Sequence, residues 1–561
     1  MKKTEADEQV MQDILDEEVT FYCDSLNPGS IYAEYHIHNG ALAFEPIDAK
    51  MFQAFLGVTY RSRSGDNILP DFSTLLGIKS QELIYTPTDH AVKINRRVAG
   101  SIIKGKIAYF MADDHWSTIM IQATGWKKMQ SKKLKFLKSP FEEAQVVESC
   151  EDDLLELMRP YVNMNGNDFT LFVIYVVQAF SRYSSHFAAI ISSNKGTGKS
   201  TLSKVMRALI DPSVTGATLM PSSIGDLKNL LANSYMVCFD NTAALSTTVS
   251  NVLCAAITGS KDAKRKLYTD CDQIILSLHS LVVLNGIDIV PFKSDLAERS
   301  LLFELQPISK DQRKTDHEFW SSFEKDRSRI VGSIFNVLSK AMQHIPAVER
   351  KGLHRMADAN IEMIAIAMAL GISQTDFQKI LDGNKQKLQD AYNQMNPFVD
   401  FIVSYMKSKV VVDQPADALY RDMEGKITGT KKFFPESPSA LSRKLNQEKD
   451  ALLAVGIEFS KGEKKRDHNY LVLRRLSSSR LSKHQKRLME HRDLLSDDAS
   501  TENSAFALVF LAKAAAEAGD KLRKNYLFLI FEPQNSRSTR RPFLAVLLAF
   551  PLPAIGTSCI R

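Results

Sequence analysis

A glycine-containing loop is the first feature of this sequence whose residue types indicate a chemistry. Residues 192–201 read SSNKGTGKST, and Ser193 stands where such loops usually have their first glycine. Consecutive backbone N–H groups of a loop like this, at the amino end of a helix, bind phosphate oxygens. The lysine reaches the β and γ phosphates, and the hydroxyl after it binds Mg²⁺. The predicted nucleotide-binding residues are Ser193, Asn194, Lys195, Gly196, Thr197, Gly198, Lys199, Ser200 and Thr201.

Three apolar segments beyond the loop each carry one polar residue of interest. YMVCFDN (235–241) reads as a strand ending in Asp240, which would bind Mg²⁺ beside Ser200. LVVLNG (281–286) contains Asn285, whose amide could orient the attacking water or sense the γ phosphate. Arg299 precedes a further strand and could act in trans on a neighbouring subunit's nucleotide. Taken singly, an ordinary Asp-Asn turn, a turn residue and a surface charge are the alternatives.

The elements around the loop fit a phosphate site. HFAAIISSNKGTGKST (186–201) reads as a buried strand and a loop, and TLSKVMRALI continues as a helix. Upstream, NGNDFTLFVIYVVQAFSRY (165–183) offers Asn and Asp caps before an apolar helix. Helical periodicity also dominates from about residue 310 to 395. The order of these elements predicts an α/β core followed by a helical region.

The bulk composition excludes several classes of protein. A length of 561 residues with 44% hydrophobic and 24% charged residues indicates two to four folded domains. The net charge of +6 is too small to identify a nucleic-acid binder. Six scattered cysteines favour reduced thiols in a cytoplasmic protein. The apolar runs 171–180 and 543–556 are too short for a membrane span, and the first residues do not resemble a signal peptide.

The first 140 residues read as short β-rich pieces separated by turns, which predicts a small mixed or mainly β domain. A primase needs paired acidic residues on strands for nucleotide polymerisation. The nearest acidic candidate, MADDHWS (111–117), is better interpreted as a turn. The sequence therefore predicts no primase activity.

A compact basic segment at 437–475 reads as a capped amphipathic helix, a turn at Gly456 and a two-stranded hairpin. Ser437 before Pro438 is a helix start. This order suits a winged-helix module, in which basic residues off the apolar stripe and in the wing turn contact DNA phosphates. A solvated hairpin is the alternative. The DNA-binding candidates here are Arg443, Lys444, Lys449, Lys461, Lys464, Lys465 and Arg466.

Several of these segments, in this order, resemble the phage and plasmid primase-associated ATPases of the superfamily 3 helicase type, within the AAA+ class. The resemblance spans about residues 150 to 370 and extends more weakly to about 475. Its segments are DFTLFVIYVVQAF, GTGKSTLSKVMRALIDPS, LKNLLANSYMVCFDNTAAL, LCAAITGSKDAKRKLYTD, LVVLNGI and DLAERSLLFEL.

The resemblance implies a ring, hexameric in form, that grips single-stranded or forked DNA and hydrolyses ATP with Mg²⁺ between subunits. It implies that Lys199, Ser200 and Asp240 bind nucleotide and metal, that Asn285 is a polar sensor, and that Arg299 is the arginine finger. Asn241 departs from many AAA+ enzymes, which carry a second acid there. Candidates for DNA contact in the pore are Lys264, Arg265 and Lys266.

The predicted fold class is a multidomain α/β protein. It has a P-loop AAA+ ATPase core, a small β-rich N-terminal domain, a helical region and a C-terminal winged-helix-like module. The predicted function is an ATP-dependent DNA helicase or translocase in replication of a mobile element, with a primase as a further possible partner. A nucleotide-gated DNA-binding switch is the alternative, and a small-molecule P-loop kinase is a weaker one. The predicted boundaries are 1–140, 141–182, 183–310, 311–395, 396–476 and a linker with a poorly defined tail at 477–561.

Overall fold

The computed structural model of the chain falls into two compact units, Met1–Asp400 and Phe401–Arg561. No helix among the described residues is both long and apolar enough to cross a membrane. The described residues are 5–65, 71–182, 185–193, 196–242, 245–265, 273–286, 294–309, 311, 313–395, 397–427, 433–454, 456–462, 469–476, 528–531 and 544–547.

The N-terminal region of the first unit is mixed α/β. Its first sheet has the order β3-β2-β1-β4, and β10 pairs with β5. Helices α1 to α3 contribute apolar residues to the same core as this sheet. The elements are α1 (Glu5–Glu17), β1 (Val19–Asp24), β2 (Ile31–His36), β3 (Leu42–Pro46), α2 (Lys50–Ser64), α3 (Ser73–Tyr85), α4 (Pro87–His90), β4 (Ala91–Val92), β5 (Ile94–Asn95), β6 (Val98–Ser101), β7 (Lys106–Phe110), β8 (Thr118–Gln122), β9 (Gly125–Met129) and β10 (Lys135–Phe136).

The second N-terminal sheet, β6-β7-β8-β9, is antiparallel and serves two cores. Side chains alternate between the faces of a strand. On β7, Ile107 and Tyr109 therefore pack into the core that holds the phosphate-loop elements. Ala108 and Phe110 pack into the N-terminal core. The predicted boundary at residue 140 thus follows a sheet that lies between two cores.

The central sheet of the first unit is parallel throughout, in the order β12-β15-β11-β16. Its strands are short apolar runs that are almost entirely buried, as parallel strands covered on both faces require. The elements from here to the end of the sheet are α5 (Leu154–Met158), α6 (Gly166–Gln178), β11 (Ala188–Ser192), α7 (Lys199–Ile210), α8 (Ile224–Asn233), β12 (Met236–Phe239), α9 (Thr247–Thr258), β13 (Ser260–Arg265), β14 (Gln273–Leu278), β15 (Leu281–Gly286), α10 (Ser294–Glu298) and β16 (Ser300–Glu304).

The apolar run that was too short for a membrane span forms α6, which is buried on nearly every side in the main core. The Asn165 side chain accepts from the Asp168 N–H and caps the helix, as the sequence indicates. Three helices follow the sheet, and Gly371, with φ +79°, separates the second from the third. They are α11 (Asp316–His344), α12 (Ala357–Ala369) and α13 (Gln374–Met395).

A buried ion pair joins the N-terminal region to the phosphate-loop helix. Arg97 precedes β6, and its Nε lies 2.8 Å from Oδ1 of Asp211, the residue that ends α7. Arg207 lies 3.1 Å from the other carboxylate oxygen. Arg97 also donates to the carbonyls of Phe110, Glu143 and Pro212. Both charges are buried, so loss of either residue would leave the other as an unpaired charge in the core.

The second unit contains an antiparallel sheet of order β17-β19-β18. Ser437 caps α16 by accepting from the Ala440 N–H at 3.2 Å, as its position before Pro438 predicts. Leu441, Leu445 and Leu452 are buried, whereas Leu453 is exposed because a break after Gln447 divides the predicted single helix into two. Helix α14 (Pro397–Met406) begins in the first unit and ends in the second. The elements that follow are β17 (Val411–Pro415), α15 (Ala416–Glu424), α16 (Pro438–Gln447), α17 (Lys449–Ala454), β18 (Ile457–Lys461), β19 (Tyr470–Arg475), β20 (Phe528–Phe531) and β21 (Leu544–Leu547).

Candidate functional site

The predicted loop joins the carboxyl end of β11 to the amino end of α7. Gly196 and Gly198 have φ values of +78° and +88°, and a backbone of that kind favours glycine. Gly198 caps α7 in the left-handed conformation, so the helix begins at Lys199. Asn194 and Lys195 lie outside the described residues. The two glycines thus lie, both with positive φ, directly before the amino end of a helix, a position that favours anions.

Lys199 turns back across the loop. Its Nζ donates to the Ser193 carbonyl at 2.7 Å and lies 3.4 Å from the Ser193 hydroxyl. The hydroxyls of Ser193 and Thr197 are hydrogen-bonded to each other. Ser193, which stands in the place of the motif's first glycine, therefore closes the loop and holds the lysine over it.

Ser200, Asp240 and Asn285 come together beside the loop. The Ser200 hydroxyl lies 3.3 Å from Asp240 Oδ1, and Asn285 Nδ2 donates to the same oxygen at 2.8 Å. They meet because β12, β15 and β11 are adjacent parallel strands, and their carboxyl ends lie at one edge of the sheet. Asn285 is buried, so its amide is fixed in this orientation.

The Asp-Asn turn after β12 completes this corner. The Asn241 N–H donates to Asp240 Oδ1 at 2.8 Å, and Thr242 N–H donates to the Asn285 carbonyl at 2.8 Å. Asn241 has φ +51°, a left-handed conformation that asparagine tolerates better than most residues. One oxygen of Asp240 therefore accepts three hydrogen bonds, which fix the direction of its carboxylate.

The Ser200 hydroxyl and the Asp240 carboxylate offer oxygen ligands of the kind that Mg²⁺ prefers. This ion is usually bound by one or two carboxylates together with substrate phosphates and water. Among the described residues no group of three or more His, Cys, Asp and Glu side chains could hold a metal by itself. A site that is completed by phosphate oxygens needs no such group.

A cavity of about 710 Å³ lies against the other side of the loop. Thr197, Gly198, Thr201 and Leu202 form its loop wall. The rest of the lining comes from two segments that are distant in sequence. These are residues 159–164 and the later group Leu305, Ile308, Asp311, Arg313, Lys314, Asp316 and Phe319. Sequence inspection missed these walls because no motif marks them. Its volume lies within the range of small-molecule binding sites.

Arg299 lies at the amino ends of the parallel strands, whereas the loop lies at their carboxyl ends. It immediately precedes β16, and its carbonyl accepts from the N–H of Ala188, the first residue of β11. Its guanidinium bonds to the Asp295 carboxylate and donates to the Asp295 carbonyl at 2.8 Å. Burial opposes ionisation of Asp295, but its hydrogen bond with Arg299 and the charges of Arg299 and Arg355 lower its pKa below the ordinary value.

Helix α13 fixes the backbone around Arg299. Lys385 Nζ donates to the carbonyls of Glu298 at 2.8 Å and Ser300 at 2.9 Å, which flank this arginine. Burial lowers the pKa of Lys385 to about 7. The side-chain amide of Asn384 bonds to both backbone groups of Leu302 on the edge strand. The position of Arg299 is therefore set by a helix that the sequence gave no reason to connect with it.

Two of the three predicted pore residues, Lys264 and Arg265, lie on β13, which pairs with β14. Lys264 Nζ bonds to the Asn229 side chain at 3.2 Å, and Arg265 is exposed. Lys266 lies outside the described residues. The side chain of Asn27, from the N-terminal region, bonds to both backbone groups of Ile275 on β14. The N-terminal region thus holds strand β14 of the hairpin through the side chain of Asn27.

The basic candidates of the second unit divide into three groups. Arg443, Lys449 and Lys461 are exposed. Lys444 lies 2.8 Å from the buried carboxylate of Glu448 and is therefore a less accessible phosphate ligand. Lys464, Lys465 and Arg466 lie outside the described residues.

Comparison with known proteins gave matches of two kinds. No curated protein matches the chain. A structure described as the apo A form of the NrS-1 C-terminal region is 13% identical and covers 83% of this chain and 98% of its own, with a TM-score of 0.36. A small-molecule complex of JCV helicase is 12% identical and covers 40% of this chain and 66% of its own, with a TM-score of 0.23. Residues 152–383, which include the loop, the parallel sheet and α11 and α12, match the family described as actinomycete integrative conjugative element replication proteins.

Proposed function

We propose that this chain is an ATP-dependent DNA helicase or translocase that acts in replication of a phage, plasmid or integrated mobile element. The observation that carries the proposal is the convergence of Ser200, Asp240 and Asn285 beside a loop shaped by two left-handed glycines. The family match over residues 152–383 supports a role in replication. Three polar side chains, carried by two parallel strands and one helix, therefore meet at one point beside the loop.

In this proposal ATP binds with its phosphates on the loop and its base in the adjoining cavity. Lys199 leaves the Ser193 carbonyl and contacts the β and γ phosphates, while Ser200 and Asp240 hold Mg²⁺. When bound, the ion would neutralise part of the negative charge of the phosphates. Asn285 keeps the Asp240 carboxylate in place, because its amide donates to the carboxylate from a buried position.

Asn241 favours slow hydrolysis. An asparagine side chain does not accept a proton, so it does not replace the acid that many related ATPases carry there. The backbone N–H of Asn241 also donates to Asp240, so in this proposal the turn orients the carboxylate that would bind Mg²⁺. This observation supports the second candidate function, a nucleotide-gated DNA-binding switch or loader with little turnover.

DNA would contact two basic surfaces in this proposal. The first is the hairpin β13–β14, which carries Lys264 and Arg265. The second is the C-terminal unit, whose helices and three-stranded sheet have the element order of a winged helix. A ring of identical subunits, six in the proposed form, would bring the hairpins together around one strand. A primase is a further proposed partner.

Steady-state ATP hydrolysis, measured with and without single-stranded and forked DNA, tests the proposal. Turnover that rises with DNA supports a motor and justifies unwinding assays. Tight ATP and DNA binding without turnover supports the switch instead. Absence of ATP binding would refute both candidates.

Asn285→Ala tests the metal corner. We expect the Mg²⁺ concentration for half-maximal hydrolysis to rise about 10- to 100-fold, the usual cost of losing a side chain that orients a metal ligand. A Mg²⁺ titration of turnover measures this. Asn233→Ala is the matched control, because Asn233 makes only exposed contacts at the end of α8. An unchanged titration curve for Asn285→Ala would contradict the role given to Asn285.

Arg443→Ala and Lys449→Ala test the C-terminal unit. Each neutralised phosphate contact contributes roughly 0.9 to the slope of log K against log salt on duplex DNA. We expect each substitution to weaken DNA binding at low salt and to reduce that slope by about 0.9. Fluorescence anisotropy across a salt series measures both. Lys444→Ala is the comparison, and its smaller effect would follow from the Glu448 ion pair.

A further inference from the structure

Arg355 shares a carboxylate with the predicted arginine finger. Its Nη1 lies 3.2 Å from Asp295 Oδ1, the oxygen that also binds Arg299. The same Nη1 bonds to the Glu298 carboxylate. Two arginines from separate segments, one before β16 and one before α12, therefore converge on the Asp295 carboxylate.

The two arginines differ in accessibility. The Arg299 side chain is 14% exposed, and that of Arg355 is 53% exposed. Arg299 is also tied to the Asp295 carbonyl four residues earlier. The partners of Arg355, Asp295 and Glu298, are themselves 47% and 51% exposed. An exposed ion pair stabilises a protein by at most about 1 kcal/mol. A multiply charged anion can therefore displace these carboxylates from Arg355.

The position of Arg355 prevents it from serving its own nucleotide. His354 packs on Phe187, the residue before β11, with ring centroids 5.3 Å apart. The phosphate loop follows the other end of that strand, after Ser192. A strand advances roughly 3.3 Å per residue, so β11 separates the two edges by about 16 Å. This separation is longer than an arginine side chain, so Arg355 does not reach phosphate on its own loop.

We propose that Arg355 is a second arginine donated in trans, which binds the γ phosphate of a neighbouring subunit's ATP beside Arg299. The inference rests on the proposed ATPase function. In the isolated chain, Asp295 binds both arginines and Glu298 binds Arg355. On assembly, the nucleotide phosphates take over from these carboxylates. Arg355 is the arginine that reaches the neighbour first, because it is the more exposed.

Substitution of Arg355 gives the first test. Arg355→Ala should lower DNA-stimulated turnover at least tenfold, since an arginine finger contributes roughly 10³ to 10⁵ and Arg299 remains. Binding of a fluorescent ATP analogue to the variant should be unchanged, because its own loop is intact. Arg350→Ala, an exposed arginine of the same segment, is the matched control. Arg355→Lys keeps the charge and should retain part of the turnover, and thermal melting confirms that each variant is folded.

Mixing two impaired variants gives the decisive test. Lys199→Ala lacks a working loop but carries Arg355, and Arg355→Ala has the opposite defect. A mixture of the two should hydrolyse ATP faster than the sum of the separate proteins, because some subunit contacts then combine an intact loop with an intact arginine. Failure of the mixture to recover turnover would overturn donation in trans.

The outcomes separate this inference from the proposed function. A wild-type protein without ATP hydrolysis would overturn the motor and the trans arginine together. Wild-type turnover that survives in Arg355→Ala would overturn only the trans arginine. Loss of turnover in Arg355→Ala together with loss of analogue binding would also overturn it, because the residue would then support its own subunit's site.

Discussion

Lys199→Ala is expected to reduce ATP hydrolysis by about 10² to 10³, the usual cost of removing one fixed donor from a developing charge. Lys199 is the first residue of α7, and its Nζ already lies within the loop, bound to the Ser193 carbonyl. No other described cation is bonded there. The measurement is steady-state phosphate release at saturating ATP, together with binding of a fluorescent ATP analogue.

Lys204→Ala is the matched control for that substitution. Lys204 lies on the same helix, one turn further along, and it is exposed. Its removal takes away an equal charge and should leave turnover within about twofold, as surface substitutions far from a site usually do. Equal losses in the two variants would indicate a general effect of helix charge and would contradict the role of Lys199.

Asp211→Ala is expected to lower the free energy of unfolding by about 3 to 5 kcal/mol, the typical cost of removing one partner of a buried ion pair. The substitution leaves Arg97 fully buried without its carboxylate and removes the 3.1 Å contact to Arg207. The Met236 N–H, which bonds to the same carboxylate at 3.3 Å, also loses its acceptor. Urea unfolding followed by tryptophan fluorescence measures the loss.

Asp226→Ala provides the comparison for Asp211. Asp226 lies exposed in the first turn of α8, where a negative charge interacts with the helix dipole for about 0.3 to 1 kcal/mol. A loss for Asp211→Ala as small as that of Asp226→Ala would mean that the buried cluster tolerates an unpaired charge. The inferred tie between the N-terminal strand and α7 would then be wrong.

The local elements of the site could be predicted from the sequence. Apolar runs of four to six residues that end in Asp240 or contain Asn285 indicate strands, and both residues lie on or directly after a strand. The glycines of the loop and Lys199 at the start of α7 follow from loop and helix chemistry. Because these strands are parallel neighbours, their carboxyl ends meet, and this brings the polar residues together without any special contact.

The contacts between distant segments could not be predicted. The cavity beside the loop needs walls that are more than 140 residues apart, and the sequence of either wall carries no nucleotide motif. Arg355 lies in an unremarkable turn before α12, and only the folded chain places it on the Asp295 carboxylate. The two cores on either side of sheet β6–β9 could not be predicted either, because alternation shows that a strand has two faces but does not show what covers each.

That sheet also bears on how such a gene can be inherited. Neighbouring side chains of β7 belong to different cores, and Arg97 at its margin is neutralised by an acid at the end of α7. Recombination that exchanged the first 140 residues with those of an unrelated mobile element would remove the side chains that cover one face of the core. It would also leave the buried Asp211 without Arg97. We therefore expect the N-terminal region and the parallel-sheet region to be inherited together, without a crossover between them.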